Sequence, residues 1–243
     1  MNLLNLALEQ GRSQGKPIKF FFPSSIAVYG LKNLAEKQSA GIISEGNFLN
    51  PVTIYGCNKL YCEHLGTYYS RHYQRLGAEE HQCYIDFRSI RFPGIISSQT
   101  IPTGGTSDYI PEMLHTIAKG EIYKCFVRGE SQIPFITMPD AVRAIQDLME
   151  VSIKSLHQTV YNIRSFSPTA EEFRQTIMGI FLNAIIEYDI NEKRQKMVDS
   201  WPADTDDSAA RSDWNWEPRY DLETGLNEYL IPDIKKLYNN YLE

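Results

Sequence analysis

The segment Ile18-Lys19-Phe20-Phe21-Phe22-Pro23-Ser24-Ser25-Ile26-Ala27-Val28-Tyr29-Gly30 runs from a short apolar stretch straight into a pair of hydroxyls. Such a run reads as a buried strand, with Pro23 marking its end. Hydroxyls at the carboxyl end of a sheet strand stand where α/β folds bind their ligands. Upstream, Leu3, Leu4, Ala7 and Leu8 recur at helical spacing and predict a helix ending near Gly11 or Gly15. Downstream, a helical pattern over 51–73 leads to a second strand over 83–91, which breaks into a loop at Arg91-Phe92-Pro93-Gly94. A helix feeding a strand in this way is the crossover of an α/β sheet.

The alternation continues with a helix at 108–119, strands at 122–127 and 135–138, and a helix at 139–151. A strand at 160–163, a helix at 169–181, a strand at 185–188 and a helical tail from Leu222 follow. Thr169 with Glu172 three residues on has the pattern of a capping box. Residues 74–82 are polar enough for a surface loop. No repeat or low-complexity stretch is present, which sets aside solenoid and linker readings.

Composition narrows the partners. The 243 residues hold 24 Lys plus Arg against 30 Asp plus Glu, a net charge of -6 that argues against nucleic acid held through phosphate contacts. The apolar runs fall far short of the roughly 20 residues of a membrane span, and residues 1–10 lack the basic start of a signal peptide. A soluble cytoplasmic protein acting on a small molecule is therefore expected, with no nucleic acid and no membrane. Cys57, Cys62, Cys83 and Cys125 form no CxxC pair, and His64 beside Cys62 completes no metal-ligand spacing, so no metal site is expected.

Tyr55-Gly56-Cys57-Asn58-Lys59 puts a phenol and an ammonium four residues apart on one face of a helix. A phenol is a weak base at neutral pH, and a neighbouring cation favours its anion. Tyr55 could then take a hydroxyl proton while hydride leaves the same carbon, with Ser25, and Ser24 as the second candidate, hydrogen-bonding the reacting hydroxyl. A lone Tyr-x-x-x-Lys is a weak signal, and a Ser pair after a strand can equally be a simple turn. Gly104-Gly105-Thr106 can bring backbone N–H groups to a carboxylate at a helix start, or can merely connect and cap the helix at 108. Trp201, Trp214 and Trp216 favour core packing over a substrate cage, and Arg211 a structural ion pair.

Taken in order, Ser24-Ser25, Val28-Tyr29-Gly30, Tyr55 with Lys59, and Arg91-Phe92-Pro93-Gly94 resemble the extended short-chain dehydrogenase/reductase family, the NAD-dependent epimerases and dehydratases. Two further stretches resemble its short-chain-type L-threonine 3-dehydrogenases. One is 94–109 with Ile101-Pro102-Thr103-Gly104-Gly105-Thr106; the other is Asp199-Ser200-Trp201-Pro202 with 206–216. The likeness runs over nearly the whole chain, with a small insertion around 78–84. At 133 and 134, where sugar-nucleotide members carry charged residues, this chain has Ile133 and Pro134. That departure weakens a diphosphate-bearing substrate.

The resemblance implies an α/β fold comprising the C-terminal part of a Rossmann-type doubly wound sheet plus a small α/β substrate-binding domain. Residues 1–98 would be a partial dinucleotide-binding domain, and 99–243 mainly substrate-binding, with 139–165 returning to the Rossmann sheet. It implies NAD as cofactor and oxidation of L-threonine at its 3-hydroxyl to 2-amino-3-ketobutyrate. Tyr55 would be the base, Lys59 would hold the nicotinamide ribose, Ser25 would polarise the hydroxyl, and Pro93, Gly94 and Ile95 would line the nicotinamide face. Gly104, Gly105 and Thr106, with Ser25, would bind the substrate. A homodimer through the Tyr55 helix is implied, and a mitochondrial location if the source is eukaryotic and the missing N-terminus carried a transit peptide.

Nothing in residues 1–22 supplies the family's G-x-x-G-x-x-G turn or the acidic residue that follows it. The resemblance thus implies that about 80 to 90 residues of a Rossmann half are missing, with activity reduced or lost in this chain alone and a separate N-terminal fragment as a companion. The competing readings are a nucleotide-sugar epimerase or dehydratase, and an inactive remnant serving only binding or oligomerisation.

Overall fold

The computed structural model describes residues 1–73 and 83–238; the loop expected at 74–82 lies outside them. Helix α1 (Asn2–Gln14) buries Leu4, Ala7, Leu8 and Gly11 and ends where Gly15 turns left-handed at φ 65, a reversal that glycine makes without strain. Strand β1 (Ile18–Ser25) then pairs in parallel with β3 (Ile85–Phe92) along its whole length.

Pro23 does not end β1, as the sequence suggested, but sits opposite Ile90 within it. The carbonyl of Pro23 turns to Lys59 instead of β3. A residue's N–H and C=O point to the same side of a strand, so the donor that proline lacks also faces away from the β1–β3 ladder. Among the described residues β1 has a neighbour on one side only, in the order β1-β3-β7, with β7 (Val160–Asn162) parallel to β3.

Short helix α2 (Leu34–Ala40) and strand β2 (Ile42–Ile43) lead to α3 (Ile54–Thr67). Helix α3 starts at Ile54 rather than 51, because Thr53 is extended and its side chain caps the Gly56 N–H at 2.9 Å. Past Thr67 it widens into a π-helical turn at Tyr68–His72. Across the sheet lies α5 (Met138–Glu150), capped by Thr137. Every residue of β3 is buried. Arg88 reaches α5 and Arg91 reaches α3, as alternation along a strand requires of residues three apart.

The rest of the chain adds three small parallel pairs. These are β4 (Gly94–Ile96) with β6 (Phe135–Thr137), β5 (Tyr123–Cys125) with β8 (Ile186–Tyr188), and β2 with β9 (Asp204–Thr205). Helix α4 (Tyr109–Ala118) is buried along nearly all its length, and α6 (Ala170–Ile180) forms the capping box foreseen from Thr169 and Glu172. Among the described residues three helices had no clear signature: α2, α7 (Glu192–Asp199) and α8 (Ser208–Trp214). The largest core cluster joins Ile26 to Leu31, from the β1 side, with α4, β5, α6 and Trp201. A second gathers β3, α5, Trp214 and Trp216.

Candidate active site

At the carboxyl end of β1 the chain enters a single 3-10 turn, Ile26–Val28, in which Ser25 Oγ accepts the Ala27 N–H at 3.2 Å. That bond leaves the Ser25 hydroxyl hydrogen to donate elsewhere. Helix α3 packs directly on this turn. A Cβ on Gly56 would stand 2.0 Å from the Ala27 carbonyl oxygen, so only glycine permits the approach. The Tyr-Gly step thus has a steric reason of its own.

A cleft of about 570 Å³ opens between β1, α3, β4 and the α7 end of the molecule. Among its lining residues are Ser24, Ser25, Tyr55 and Lys59 on one side, and Pro93, Gly94 and Ile95 on another. Thr106, Ser107, Met197 and Trp201 close it. Tyr55 is 53% exposed. Lys59 Nζ donates to the Pro23 carbonyl at 2.5 Å and lies 5.3 Å from the Tyr55 ring centroid and 5.0 Å from that of Phe22. The ammonium is therefore fixed between strand and phenol, within cation–π range of both rings.

The two serines differ. Both line the cleft, but Ser24 is buried and its hydroxyl donates to Glu63, whereas Ser25 is half-buried and keeps its hydrogen. Glu63 receives a bidentate guanidinium from Arg91, Nε at 2.9 Å and Nη2 at 2.7 Å, with both side chains almost fully buried. Arg91 Nη1 also donates to the Tyr29 hydroxyl at 2.9 Å and to the Glu45 carbonyl at 2.8 Å. Burial pushes Arg91 down, but the bonds and charge of Glu63 more than reverse it, and the guanidinium is raised overall. Burial pushes the Tyr29 phenol up to about 12 despite Arg91, so Tyr29 stays a donor, to Asn162 Oδ1 at 2.7 Å.

The glycine loop divides. Thr106 lines the cleft, while Gly104 and Gly105 are exposed and are not among the lining residues. The Gly105 N–H is given to Asp108 Oδ2 at 2.8 Å, and its carbonyl accepts Arg194 Nη2 at 2.5 Å. Arg194 is held in turn by Glu112 at 3.0 Å and lies over the Phe126 ring. Trp201 belongs to the core cluster and also forms part of the cleft wall; Trp214 and Trp216 pack only in the core, and Arg211 pairs with Asp207 at 2.9 Å.

Sequence reasoning missed Met197, Gly56, Arg194 and the Glu63–Arg91 pair. Glu63 had a readable signal: Tyr55, Lys59 and Glu63 recur at four-residue steps on one helix face. Met197 and Arg194 lie on α7, whose sequence is mostly polar, and nothing marked it as a cleft wall.

Comparisons with known proteins identify relatives of the chain and of its fold. The chain is 34% identical to the mitochondrial L-threonine 3-dehydrogenase of Bos taurus over 221 residues, which is 91% of this chain and 54% of that protein. It is 32% identical, over 91% of its length, to an uncharacterized epimerase/dehydratase of Staphylococcus saprophyticus, of which it covers 63%. The chain therefore spans little more than half the length of these curated relatives. The solved L-threonine 3-dehydrogenase of Trypanosoma brucei superposes with a TM-score of 0.82 at 34% identity, over 98% of this chain and 69% of that one. A GalE-like L-threonine dehydrogenase from Cupriavidus necator gives 0.81 at 33% identity, over 98% and 78%. The sequence model of the NAD dependent epimerase/dehydratase family matches residues 1–163. With two thirds of its length in that match and the Ser25, Tyr55 and Lys59 side chains on one cleft, the chain belongs to the NAD-dependent epimerase/dehydratase family.

Proposed function

We propose that this cleft oxidises the 3-hydroxyl of L-threonine to the ketone, giving 2-amino-3-ketobutyrate, with NAD as cofactor. The observation that carries the reading is one shared cleft for Ser25, Tyr55, Lys59 and Thr106. The similarity to L-threonine 3-dehydrogenases supports the substrate.

The residues present suit the cofactor's nicotinamide end. Lys59 offers N–H donors to a ribose, and Pro93 with the start of β4, Gly94 and Ile95, lines the cleft opposite it, held against the core where Gly94 packs on the Phe135 ring too closely for a Cβ. NAD, when bound, supplies the acceptor for the hydride that leaves the substrate carbon. Tyr55 takes the hydroxyl proton in the same step, Ser25 donates to the reacting oxygen, and Lys59, 5.3 Å from the Tyr55 ring centroid, holds a positive charge beside it. Thr106 at the start of the α4 region offers its hydroxyl and the backbone beside it to the substrate carboxylate.

Two assembly features belong to this reading. Ile54 and Tyr61 on α3 and Tyr68 in the π-helical turn that continues it repeat every seven residues and are 79%, 59% and 44% exposed, an apolar stripe for a homodimer through this helix. Among the described residues the outer edge of β1 is unpaired, and it suits a further parallel strand.

The test is a fluorescence titration of the 243-residue chain with NADH, followed by NADH production from L-threonine and identification of the product. Saturable binding and turnover that falls at least about 100-fold in Tyr55→Phe are expected. Turnover of a nucleotide sugar in place of threonine, or equal activity in Tyr55→Phe, contradicts the reading.

A further inference from the structure

The Glu63–Arg91 pair lies outside the reacting groups, yet it touches every element that carries them. Glu63 is on α3, one helical turn beyond Lys59 and two beyond Tyr55. Through Ser24 it grips the residue next to Ser25 at the end of β1. Through Arg91 it is tied to β3, to Tyr29 beyond the 3-10 turn, and to the backbone of Glu45. Tyr29 extends the chain to Asn162 on β7, whose amide donates to the Ile43 carbonyl at 3.3 Å and whose backbone N–H donates to Glu45 Oε1 at 3.0 Å. Ser24, Tyr29, Glu63, Arg91 and Asn162 are each no more than 3% exposed.

An ion pair buried this deeply adds little net stability over an apolar pair of the same shape, and its directional bonds define geometry instead. The bidentate fork fixes both the rotation of α3 about its axis and its height along β3. Gly56 sets how closely α3 approaches the turn, so rotation is the freedom left to be fixed.

We propose that Glu63 and Arg91 are positioning residues that set the rotation of α3, and with it the placement of Tyr55 and Lys59 against Ser25. This rests on the reading of those three side chains as the reacting site. Neither Glu63 nor Arg91 touches the substrate; they act through the helix and through Ser24.

The test compares the wild-type chain with the double variant Glu63→Leu/Arg91→Met, which removes both charges and so leaves neither buried alone. Tyr55 is 53% exposed, Tyr188 on β8, outside the α3 stripe, is 39% exposed and serves as reference, and nitration of each by tetranitromethane is read by mass spectrometry. The expected result is a change of about fourfold in the Tyr55:Tyr188 ratio, the effect of losing one exposed cation–π contact, because a rotated α3 carries the Tyr55 ring away from Lys59, 5.3 Å from its centroid in the wild type. Leu148→Ala, a core change in the α5 cluster, should lower the melting temperature and leave the ratio alone.

Turnover is measured alongside: kcat falls by about 100-fold with KM little changed, as expected for a displacement of about 1 Å. A folded double variant with the wild-type nitration ratio overturns the proposal. If the double variant does not fold, Ser24→Ala decides, with a smaller change in the same direction expected and an unchanged ratio overturning. A wild-type chain that binds NADH and oxidises nothing removes the dehydrogenase reading and leaves the ratio as the deciding measurement.

Discussion

Arg88 and Arg91 stand three residues apart on the same strand, are both buried, and each makes a two-pronged contact with a carboxylate. Their partners differ. Arg88 pairs with Asp86, two residues back on its own strand, and donates to the carbonyls of Leu148 and Val151 at the end of α5. It therefore closes a helix C-terminus, where orphan carbonyls need donors. Arg91 reaches across to Glu63 on α3 and onward to the turn after β1. Similar chemistry on the two faces of β3 thus serves helix capping on one side and site geometry on the other.

The largest expected effect tests whether the two pairs are equally costly to break. Arg88→Met and Arg91→Met should each destabilise by about 3–5 kcal/mol, because each leaves a buried carboxylate without its cation. Denaturant melts measure this. A loss below about 1 kcal/mol for either would mean that water reaches the abandoned carboxylate. Where the proteins stay folded, only Arg91→Met should disturb Tyr55.

Lys37 offers a buried cation with a weaker arrangement. It is 4% exposed and donates to the Val198 carbonyl at 2.9 Å, and burial lowers it from 10.5 to about 8, against the attraction of Asp199. Below pH 8 both folded and unfolded chains hold the proton, and the full penalty of burying the charge is present. Between about 8 and 10.5 the folded chain has released it while the unfolded chain still binds it, so this group's contribution to stability improves as pH rises. Lys37→Met should therefore be more stable than wild type near neutrality by up to about 3 kcal/mol, less the lost hydrogen bond. The advantage should shrink through that window, as melts at several pH values would read. A constant difference would show that Lys37 is solvated.

Smaller effects probe the α3 side. Gly56→Ala forces a Cβ into the Ala27 carbonyl and should cost about 1–3 kcal/mol, with turnover reduced because the helix must retreat from Ser25. Removing the α3 cap with Thr53→Ala should cost about 1 kcal/mol by thermal melting. A neutral result there would mean that tertiary packing alone holds the first turn.

The fold was legible where the sequence pattern was strong and local. The apolar run before Ser24, the helical spacing of α1, and the Thr169–Glu172 box each follow from contacts within a few residues. Pro23 misled because its effect depends on which side of β1 is paired, a tertiary fact. Tyr55 and Lys59 announced themselves by spacing, yet the ionic bond behind them joins residues 28 positions apart and leaves no periodic trace beyond Glu63 itself. The glycine loop was legible as a loop. Asp108 takes the Gly105 N–H from only three residues away, but that Arg194 would occupy the Gly105 carbonyl depended on α7, whose approach no short stretch encodes.

The pairing of β1 with β3 has a kinetic consequence. Ile18 meets Ile85, and Ser89 on the same strand meets Val160, so each ladder closes a crossover of about 70 residues. Closing loops of that length precedes any reward from the contacts they bring, and parallel pairing of this kind is intrinsically slow. Helices α1 and α3, whose bonds are local, can form long before Ser25 and Tyr55 are brought to one cleft. The site is thus the late product of the folding reaction, and β3, carrying both arginines, is the strand on which the sheet must wait.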